Sequence, residues 1–385
     1  MVASSLFKVE GVVKRRFRLG IVGLSAVRGW ATAAHVPAMR ALSDDFEIVG
    51  VANTSLKSAE SAAAAFGLPR AFESPAALIA SPEIDVVIVT VKVSHHREVV
   101  TAALQNSKSV YCEWPLATGL PEALELAKLA NDKKVLAVIG TQAVASPEVQ
   151  FIRDKLAEGY VGEVLSSTYI GAGSIWGDEV SLGEVYAMDS TNRATLLSVI
   201  GGHALAAVQR VLGPIAEVGA VLSQRRRTVR IIETGEMIPM KTPDQVAVHG
   251  VLESGAPLSL QLRGGLPRGA RLLWEIHGTE GDLRMTARSE HVPVINISPL
   301  RVEAGRGGEI GFSECDIPSS YYFGVEDATV SRNVAGLYRL MAQDLRHGTH
   351  TAPTFEDAVS IHRTLHAIEQ SAHTGQRVFV NDCHK

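Results

Sequence analysis

The sequence predicts two domains of class α/β plus α+β: a doubly wound parallel sheet, then a mainly antiparallel open sheet with helices. Three observations predict this architecture. A glycine turn follows a short apolar run near the N-terminus, strand and helix patterns alternate up to residue 141, and strands joined by turns dominate thereafter. A chain of 385 residues is long enough for two cores, because domains usually contain about 100 to 200 residues.

The first element is the apolar run at residues 17–24. It is short and bounded by basic residues and glycine, which favours a buried parallel strand over a helix. Gly23 and Gly29 flank the turn that follows, and apolar residues at 30–42 recur near helical spacing. We expect a strand, turn and helix unit in which a pyrophosphate rests on the helix N-terminus, since glycine lets the backbone approach the ligand.

The alternation continues through the rest of this first domain, which we place at residues 16–141. It indicates a parallel sheet with right-handed crossovers and helices on both faces. The predicted strands are 46–52, 86–91, 109–112 and 135–139, and the predicted helices are 59–66, 99–105 and 121–131.

The second domain is predicted at residues 142–385, and residues 1–15 are predicted to be a flexible extension. A long excursion at 287–322 is expected because glycines and prolines are frequent there. The predicted strands are 162–171, 216–222, 245–252, 258–262 and 272–277, and the predicted helices are 148–158, 196–212, 334–344 and 356–374.

Composition excludes several classes of function. The net charge of −4 without a basic stripe argues against a direct nucleic-acid ligand. Three scattered cysteines are too few for a disulfide framework or a zinc site, so we expect no metal. The chain has neither an export signal nor about 18 consecutive apolar residues, which predicts no membrane span and a cytoplasmic location.

The turn after the second strand bears on the choice of cofactor. An acidic side chain usually receives the ribose hydroxyls of NAD at this position. Here Asn53, Thr54 and Ser55 stand there with Lys57 nearby, so no carboxylate repels a 2′-phosphate. NADP is slightly favoured over NAD, with dual use open, although hydroxyl-rich turns also occur for structural reasons.

Four motifs carry a resemblance to a known family. They are the glycine turn, residues 90–95 at a Thr-Pro-Asn-x-x-His motif, residues 113–115 at a Glu-Lys-Pro motif, and residues 276–281. From about Arg16 onward the chain resembles the glucose-fructose oxidoreductase, inositol dehydrogenase and rhizopine catabolism family, Gfo/Idh/MocA. Within it the chain looks most like the branch of the fungal galactose-regulon repressor and its bacterial relatives.

The resemblance implies a Rossmann domain that holds a nicotinamide at the sheet's C-terminal edge, facing the second domain. It implies hydride transfer to or from a sugar, polyol or related carbonyl compound, and a homodimer or homotetramer formed through the open sheet. The cofactor-binding residues it implies, together with the turn above, are Gly23, Leu24, Ser25, Arg28, Gly29, Trp30, Asn53, Thr54, Ser55, Lys57, Thr90, His95, Glu113, Trp114 and Pro115.

The chain departs from the family pattern at two catalytic positions. Trp114 replaces the lysine of Glu-Lys-Pro, and Val199 stands where an aspartate is usual. An indole cannot shuttle a proton at neutral pH. His203 is the strongest remaining acid or base, because the ordinary histidine pKa of roughly 6.5 lies near working pH. A histidine at the start of a helix can also serve capping or packing.

Further candidates surround this position in the predicted site. Tyr186, Asp189 and Lys92 are candidate catalytic residues, and Asn192 and Trp114 are candidate substrate contacts. The loop around Asp189 can equally be organised by local bonds between side chains and backbone. His95 is favoured over His96 as a cofactor contact, because adjacent helical residues do not share a face.

Two functions of different classes follow. The first is an NAD(P)-dependent oxidoreductase with a non-standard proton relay that acts on a carbohydrate-like small molecule. The alternative is a catalytically inactive, nicotinamide-dependent sensor or transcriptional regulatory protein, for which a protein partner is expected.

Overall fold

The computed structural model describes residues 15–289, 291–322 and 330–383. The predicted N-terminal extension therefore lies, except for Arg15, outside the described residues.

The first domain is a parallel sheet of six strands in the order β3-β2-β1-β4-β5-β6, counted over the described residues. This confirms the predicted doubly wound sheet. Strands β1 and β4 are buried on both faces, which explains their continuous apolar sequence. The strands are β1 Phe17–Val22, β2 Phe46–Ala52, β3 Arg70–Ala71, β4 Val86–Val89, β5 Ser109–Glu113 and β6 Ala137–Gly140.

Helices connect these strands. The turn after β1 leads into a π-helical segment, Ala31–His35, that continues as α1. Ser55 caps α2 by accepting a hydrogen bond from the Ser58 amide at 3.3 Å. The helices are α1 Val36–Ala41, α2 Leu56–Phe66, α3 Pro75–Ala80, α4 His96–Gln105 and α5 Leu120–Lys133.

The second domain is built on a nine-stranded sheet whose order over the described residues is β17-β16-β15-β14-β7-β13-β12-β9-β18. Every pairing is antiparallel except that of β7 with β13, so the predicted mainly antiparallel sheet is confirmed. Its strands are β7 Val164–Gly173, β9 Ile215–Ser223, β12 Gln245–Leu252, β13 Pro257–Gly264, β14 Leu272–Gly278, β15 Gly281–Ala287, β16 Leu300–Arg306, β17 Ser313–Glu314 and β18 Val378–Phe379.

A smaller sheet and four helices complete this domain in the described part of the chain. One face of the large sheet is buried: in β12, Val246 and Val248 are buried whereas Ala247 and His249 are exposed. The small sheet contains β8 Glu179–Val180, β10 Thr228–Ile231 and β11 Met237–Pro239, and the helices are α6 Pro147–Ala157, α7 Gly202–Leu212, α8 Arg332–His347 and α9 Phe355–Thr374.

The predicted excursion at 287–322 is wrong in its middle part. β16 pairs along its whole length with β15, and Leu300 and Val302 are buried. The glycines at its C-terminal end concealed this strand because glycine usually marks turns. The short elements β3 and α3 were also not predicted, since each has too few residues for a period to appear.

One helical stretch among the described residues, Ser190–Leu212, is long and apolar enough to span a bilayer. Of its apolar 18-residue window, 56 % is buried inside the fold, as in a core helix.

Candidate active site and cofactor cleft

A cleft of about 740 Å³ opens at the C-terminal ends of β1, β2 and β4. This is the edge at which open parallel sheets bind ligands. Eight predicted cofactor residues line it: Gly23, Leu24, Ser25, Asn53, Thr54, Ser55, Lys57 and His95. The sequence analysis missed further lining residues, namely Val22, Ala26, Val27, Ser58, Ser61, Pro75, Val91, Glu98 and Val99. Several of them, such as Val22 and Pro75, lie at strand or helix ends, which was a usable signal.

The glycine turn has the conformation that a phosphate cradle needs. Gly23 has φ of +106°, and a Cβ there would stand 2.8 Å from Val91 Cγ1, so a side chain would be both strained and obstructed. The Thr90 hydroxyl donates to the carbonyls of Val22 and Gly23 at 3.2 and 3.0 Å. Thr90 therefore stabilises the turn through these hydrogen bonds and does not line the cleft.

Asn53 and Ser25 also organise the turn. Asn53 Oδ1 accepts from the Leu24 amide at 2.9 Å, and Asn53 Nδ2 donates to the Leu24 carbonyl at 2.8 Å. Ser25 Oγ, at the place of the fingerprint's second glycine, accepts from the amides of Val27 and Arg28 at 3.4 and 3.3 Å. Both side chains line the cleft while fixing its backbone.

The two adjacent histidines have different surroundings. His95 lies in the cleft lining, whereas His96 is buried, with Nδ1 2.8 Å from the Pro115 carbonyl oxygen and Nε2 2.9 Å from that of Val91. Burial lowers the pKa of His96. His96 thus ties the loop after β5 to the end of β4.

Glu113 belongs to a buried polar network outside the cleft lining. Its carboxylate contacts His35 Nε2 at 2.9 Å and accepts from Gln142 Nε2 at 2.8 Å. His35 Nδ1 in turn lies 2.7 Å from the Tyr338 hydroxyl. The sequence analysis gave no signal for His35, Gln142 or Tyr338, because they come from three distant segments.

Trp114 is 6 % exposed and points into the junction of the two domains. Its Nε1 donates to the Ser198 carbonyl at 2.7 Å, and its ring centroid lies 4.9 Å from that of His362. The Pro115 peptide that follows it is cis. The indole does not line the 740 Å³ cleft.

Arg28 and Trp30 also lie outside the cleft lining. The Arg28 guanidinium stands beside Gly183, 3.3 Å from where a Cβ of that glycine would be. The Trp30 ring packs edge-on against His35 at 6.5 Å. Arg28 therefore touches the loop of the second domain that carries Tyr186.

Lys92 and Tyr186 meet across the domain junction. Lys92 Nζ lies 4.9 Å from the centroid of the Tyr186 ring, a cation–π geometry. Tyr186 is 36 % exposed, and Asn192 Nδ2 donates to its carbonyl at 2.8 Å. Asp189 accepts from the amide and hydroxyl of Thr191 at 2.9 and 2.7 Å, bonds that lower its pKa. Asp189 and Asn192 thus shape the Tyr186 loop.

His203 is only 5 % exposed, at the start of α7. Burial lowers the pKa of His203 to about 4, a fall that the nearby Glu113 carboxylate partly opposes. Its imidazole is therefore neutral at physiological pH, and its Nδ1 has no hydrogen-bond partner among the described residues.

Comparison with known proteins agrees with both halves of this architecture. Residues 17–141 match the family model described as an oxidoreductase family with an NAD-binding Rossmann fold, and residues 147–287 match the model of the Gal80p C-terminal domain. The chain belongs to the Gfo/Idh/MocA oxidoreductase family. Its first domain is accordingly an NAD-binding Rossmann domain.

The chain is similar in sequence both to a dehydrogenase and to a regulatory protein. Dehydrogenase aclE of Aspergillus oryzae is 29 % identical over 376 residues, covering 94 % of this chain and 98 % of aclE. The galactose/lactose metabolism regulatory protein GAL80 of Kluyveromyces lactis is 30 % identical over 303 residues, covering 74 % of this chain and 66 % of GAL80.

Solved structures support the fold of this family. Gal80p from Kluyveromyces lactis superimposes with a TM-score of 0.83 at 26 % identity, covering 96 % of this chain and 95 % of that one. Levoglucosan dehydrogenase in complex with NADH has a TM-score of 0.82 at 20 % identity, covering 95 % and 99 %. The second likeness shows the fold alone.

Proposed function

We propose that this protein is an NAD(P)-dependent oxidoreductase that transfers hydride to or from a sugar, polyol or related carbonyl compound. The observation that carries the proposal is the pairing of Lys92 and Tyr186 beside the dinucleotide cleft. Lys92 follows β4, and the residue before it, Val91, lines the cleft. Tyr186 comes from the second domain, and its ring contacts Lys92. A titratable hydroxyl and an ammonium therefore stand where the two domains meet.

The cleft residues fit a dinucleotide. The turn at Gly23 packs closely against the end of β4, because a Cβ there would stand 2.8 Å from Val91 Cγ1. Backbone amides at such a glycine turn can bind phosphate oxygens. Ser25 and Ser55 add hydroxyl groups, and His95 lines the side formed by α4. When bound, a nicotinamide cofactor supplies or accepts the hydride.

NADP is the cofactor that we favour, with NAD as an alternative. Lys57 and Ser55 line the part of the cleft beside the end of β2, where the segment Asn53 to Ser55 carries no carboxylate. Glu98, the one acidic residue in the cleft lining, comes instead from α4. A 2′-phosphate near Lys57 would be stabilised by its ammonium.

Tyr186 is suited to donate a proton to a carbonyl oxygen. Burial, followed by the nearby Glu184 carboxylate, raises the pKa of Tyr186, so the phenol keeps its proton at neutral pH. The Lys92 ammonium would stabilise the phenolate that forms after the transfer. Reduction of a carbonyl is therefore the direction that this pair serves directly.

His203 is the second group in the proposal that exchanges a proton with the substrate. Its neutral imidazole can accept a proton from a hydroxyl, the step that oxidation requires. Asp189 and Asn192 would act by holding the Tyr186 loop, because their side chains are already bonded within it.

The test is a panel of sugars, polyols and their keto forms, assayed by cofactor absorbance with NADPH, NADH and the oxidised forms. Tyr186→Phe and Lys92→Met should each lower kcat by about 10²- to 10⁴-fold, the usual contribution of a positioned acid or base. The Kd for cofactor should stay unchanged, because neither side chain lines the dinucleotide cleft.

Two controls make the result specific. Tyr321→Phe removes a hydroxyl that bonds Asp154 and is expected to leave kcat unchanged. Lys92→Arg keeps the cation and should retain more activity than Lys92→Met. If the whole panel gives no turnover while cofactor binds tightly, the enzyme proposal fails.

A second candidate function is a nicotinamide-dependent regulatory protein. It is favoured by Trp114, a buried indole at the position of the family's lysine, and by the Gal80p match over residues 147–287. This candidate predicts cofactor binding without turnover, and association with a protein partner that depends on the cofactor. Measurable turnover abolished by Tyr186→Phe would exclude it as the sole function.

A further inference from the structure

A second cavity, of about 310 Å³, lies beside the loop that follows β5. The loop after Trp114, the loop at residues 190–198 and helix α9 enclose it, and it shares no lining residue with the dinucleotide cleft. Its volume is at the lower end of the range for small-molecule sites.

Two helices begin at this cavity. Gly119 and Leu120, at the N-terminus of the 14-residue helix α5, line it, and so do Thr195 and Ser198 at the start of the helical stretch that becomes α7. Helix N-termini present unbonded amides and the positive end of the helix dipole. The Ser198 amide already donates to the Thr195 hydroxyl at 3.1 Å, so the positive end of the dipole, and not this amide, favours a negative charge at the second helix.

A buried side chain without a partner lines the same cavity. His362, on α9, is 5 % exposed, and its Nε2 has no hydrogen-bond partner among the described residues. A buried polar group normally has a partner, so an unpartnered one in a cavity wall points to a ligand.

Arg193 and His366 complete the lining. The guanidinium of the exposed Arg193 forms no hydrogen bond or ion pair with any described residue, and His366 lies one turn of α9 beyond His362. An unpaired guanidinium is the preferred partner of carboxylate and phosphate groups.

Two carboxylates lie near these groups. Glu369 lines the cavity and, like Arg193, is exposed. Glu122, in the first turn of α5, already accepts from the amide and the hydroxyl of Thr118, both at 2.6 Å. The formal charges of Arg193 and Glu369 cancel in the described lining, so an anion would be recognised by hydrogen bonds from individual groups and not by a net positive charge.

We propose that this cavity binds a small organic oxyanion, a carboxylate or a phosphate ester, whose charged group contacts Arg193 and His362. The carbon body of the ligand would pack on the apolar part of the lining, which includes Pro115, Leu197 and Leu365. Because the His362 ring packs on the indole of Trp114, ligand binding also reaches the loop beside the proposed active site.

The test is calorimetric titration of the full chain, saturated with NADPH so that the cofactor cleft is filled. The probes are inorganic phosphate, glycerol phosphate and malonate. Saturable binding of the phosphate probes identifies a phosphorylated ligand, and saturable binding of malonate identifies a carboxylated one. Tryptophan fluorescence in the same titration reports on the ring pair formed by Trp114 and His362.

Variants locate the bound anion. Arg193→Met should weaken binding by about tenfold or more, the usual effect of losing a hydrogen bond to a charged group. His362→Phe keeps a ring against Trp114 but removes the nitrogens, and should weaken binding similarly. Glu369→Gln should strengthen binding, because it removes the one exposed carboxylate of the lining.

Arg70→Met is the matched control, because Arg70 pairs with Glu83 beside β3, on the far edge of the first sheet. It should leave the affinity unchanged. The proposal is overturned if no probe binds saturably, if Arg193→Met binds as tightly as the unaltered protein, or if Glu369→Gln weakens binding.

Discussion

The indole of Trp114 lies directly against the backbone of Gly202, so that a Cβ at Gly202 would overlap Trp114 Nε1 and Cε2. The two residues are 88 positions apart and join the domains at the start of α7. The tryptophan in place of the family's lysine is thus accommodated by a glycine on the facing helix, and the pair forms part of the junction between the domains.

Gly202→Ala is expected to lower the free energy of unfolding by about 1 to 3 kcal/mol, because overpacking a tight contact exceeds the gain in helix propensity. In a Trp114→Phe background the same change should cost less, since the atoms nearest to Gly202 are then gone. Urea unfolding of the four proteins measures this coupling. Gly269→Ala, where no atom lies within 4 Å of an added Cβ, is the control. Equal costs in both backgrounds would show that the contact is not the cause.

The contact between Trp114 and Gly202 also shows which features can be predicted from the sequence and which cannot. Five of the six parallel strands, the glycine turn and eight residues of the cleft lining could be predicted, because each depends on local period or on position at a strand end. The direction of the Trp114 indole could not. It depends on Gly202, Ser198 and His362, which long-range packing brings together.

The same limit applies to groups whose partners are remote. Thr90 and Glu113 were predicted to bind cofactor. The Thr90 hydroxyl is bonded to the Gly23 carbonyl, and the Glu113 carboxylate contacts His35. Asp189 was predicted to be catalytic, and its carboxylate is bonded within its own loop. The residue type indicates which chemical groups are present, whereas their hydrogen-bond partners decide which of these groups can still bind a ligand.

Lys57 is expected to set the preference for NADP. Lys57→Gln should lower the affinity for NADPH by about tenfold and leave that for NADH nearly unchanged, since only the former has a phosphate for the ammonium to pair with. Fluorescence titration with both cofactors measures the ratio. Lys128→Gln, which breaks an exposed ion pair with Asp132 outside the cleft, is the control. An equal loss for both cofactors would contradict the assignment.

The outer face of the large sheet is expected to pair with a second copy of the chain. A row of cross-strand neighbours, Val221, Ala247, Gln261, Ile170 and Leu273, crosses this face, and Val221 is 64 % exposed. Ile170→Glu would place a charge from each copy in the interface and should yield monomers, as measured by light scattering after size exclusion. Ile232→Glu, at an exposed position beside the small sheet, should not change the mass. An unaltered mass for Ile170→Glu would rule this face out.

Stability is expected to fall as the pH is lowered from about 6.5 towards 4. Burial lowers the pKa of His203 and of His362 to about 4, from an ordinary 6.5. Between these values the unfolded chain binds a proton at each histidine and the folded chain does not, so the free energy of unfolding increases with pH. Each histidine contributes about 3 kcal/mol over this window. Urea unfolding at several pH values should give a shallower pH dependence for His203→Gln and for His362→Gln. The exposed His373→Gln should keep the original slope, and equal slopes in all three variants would disprove the assignment.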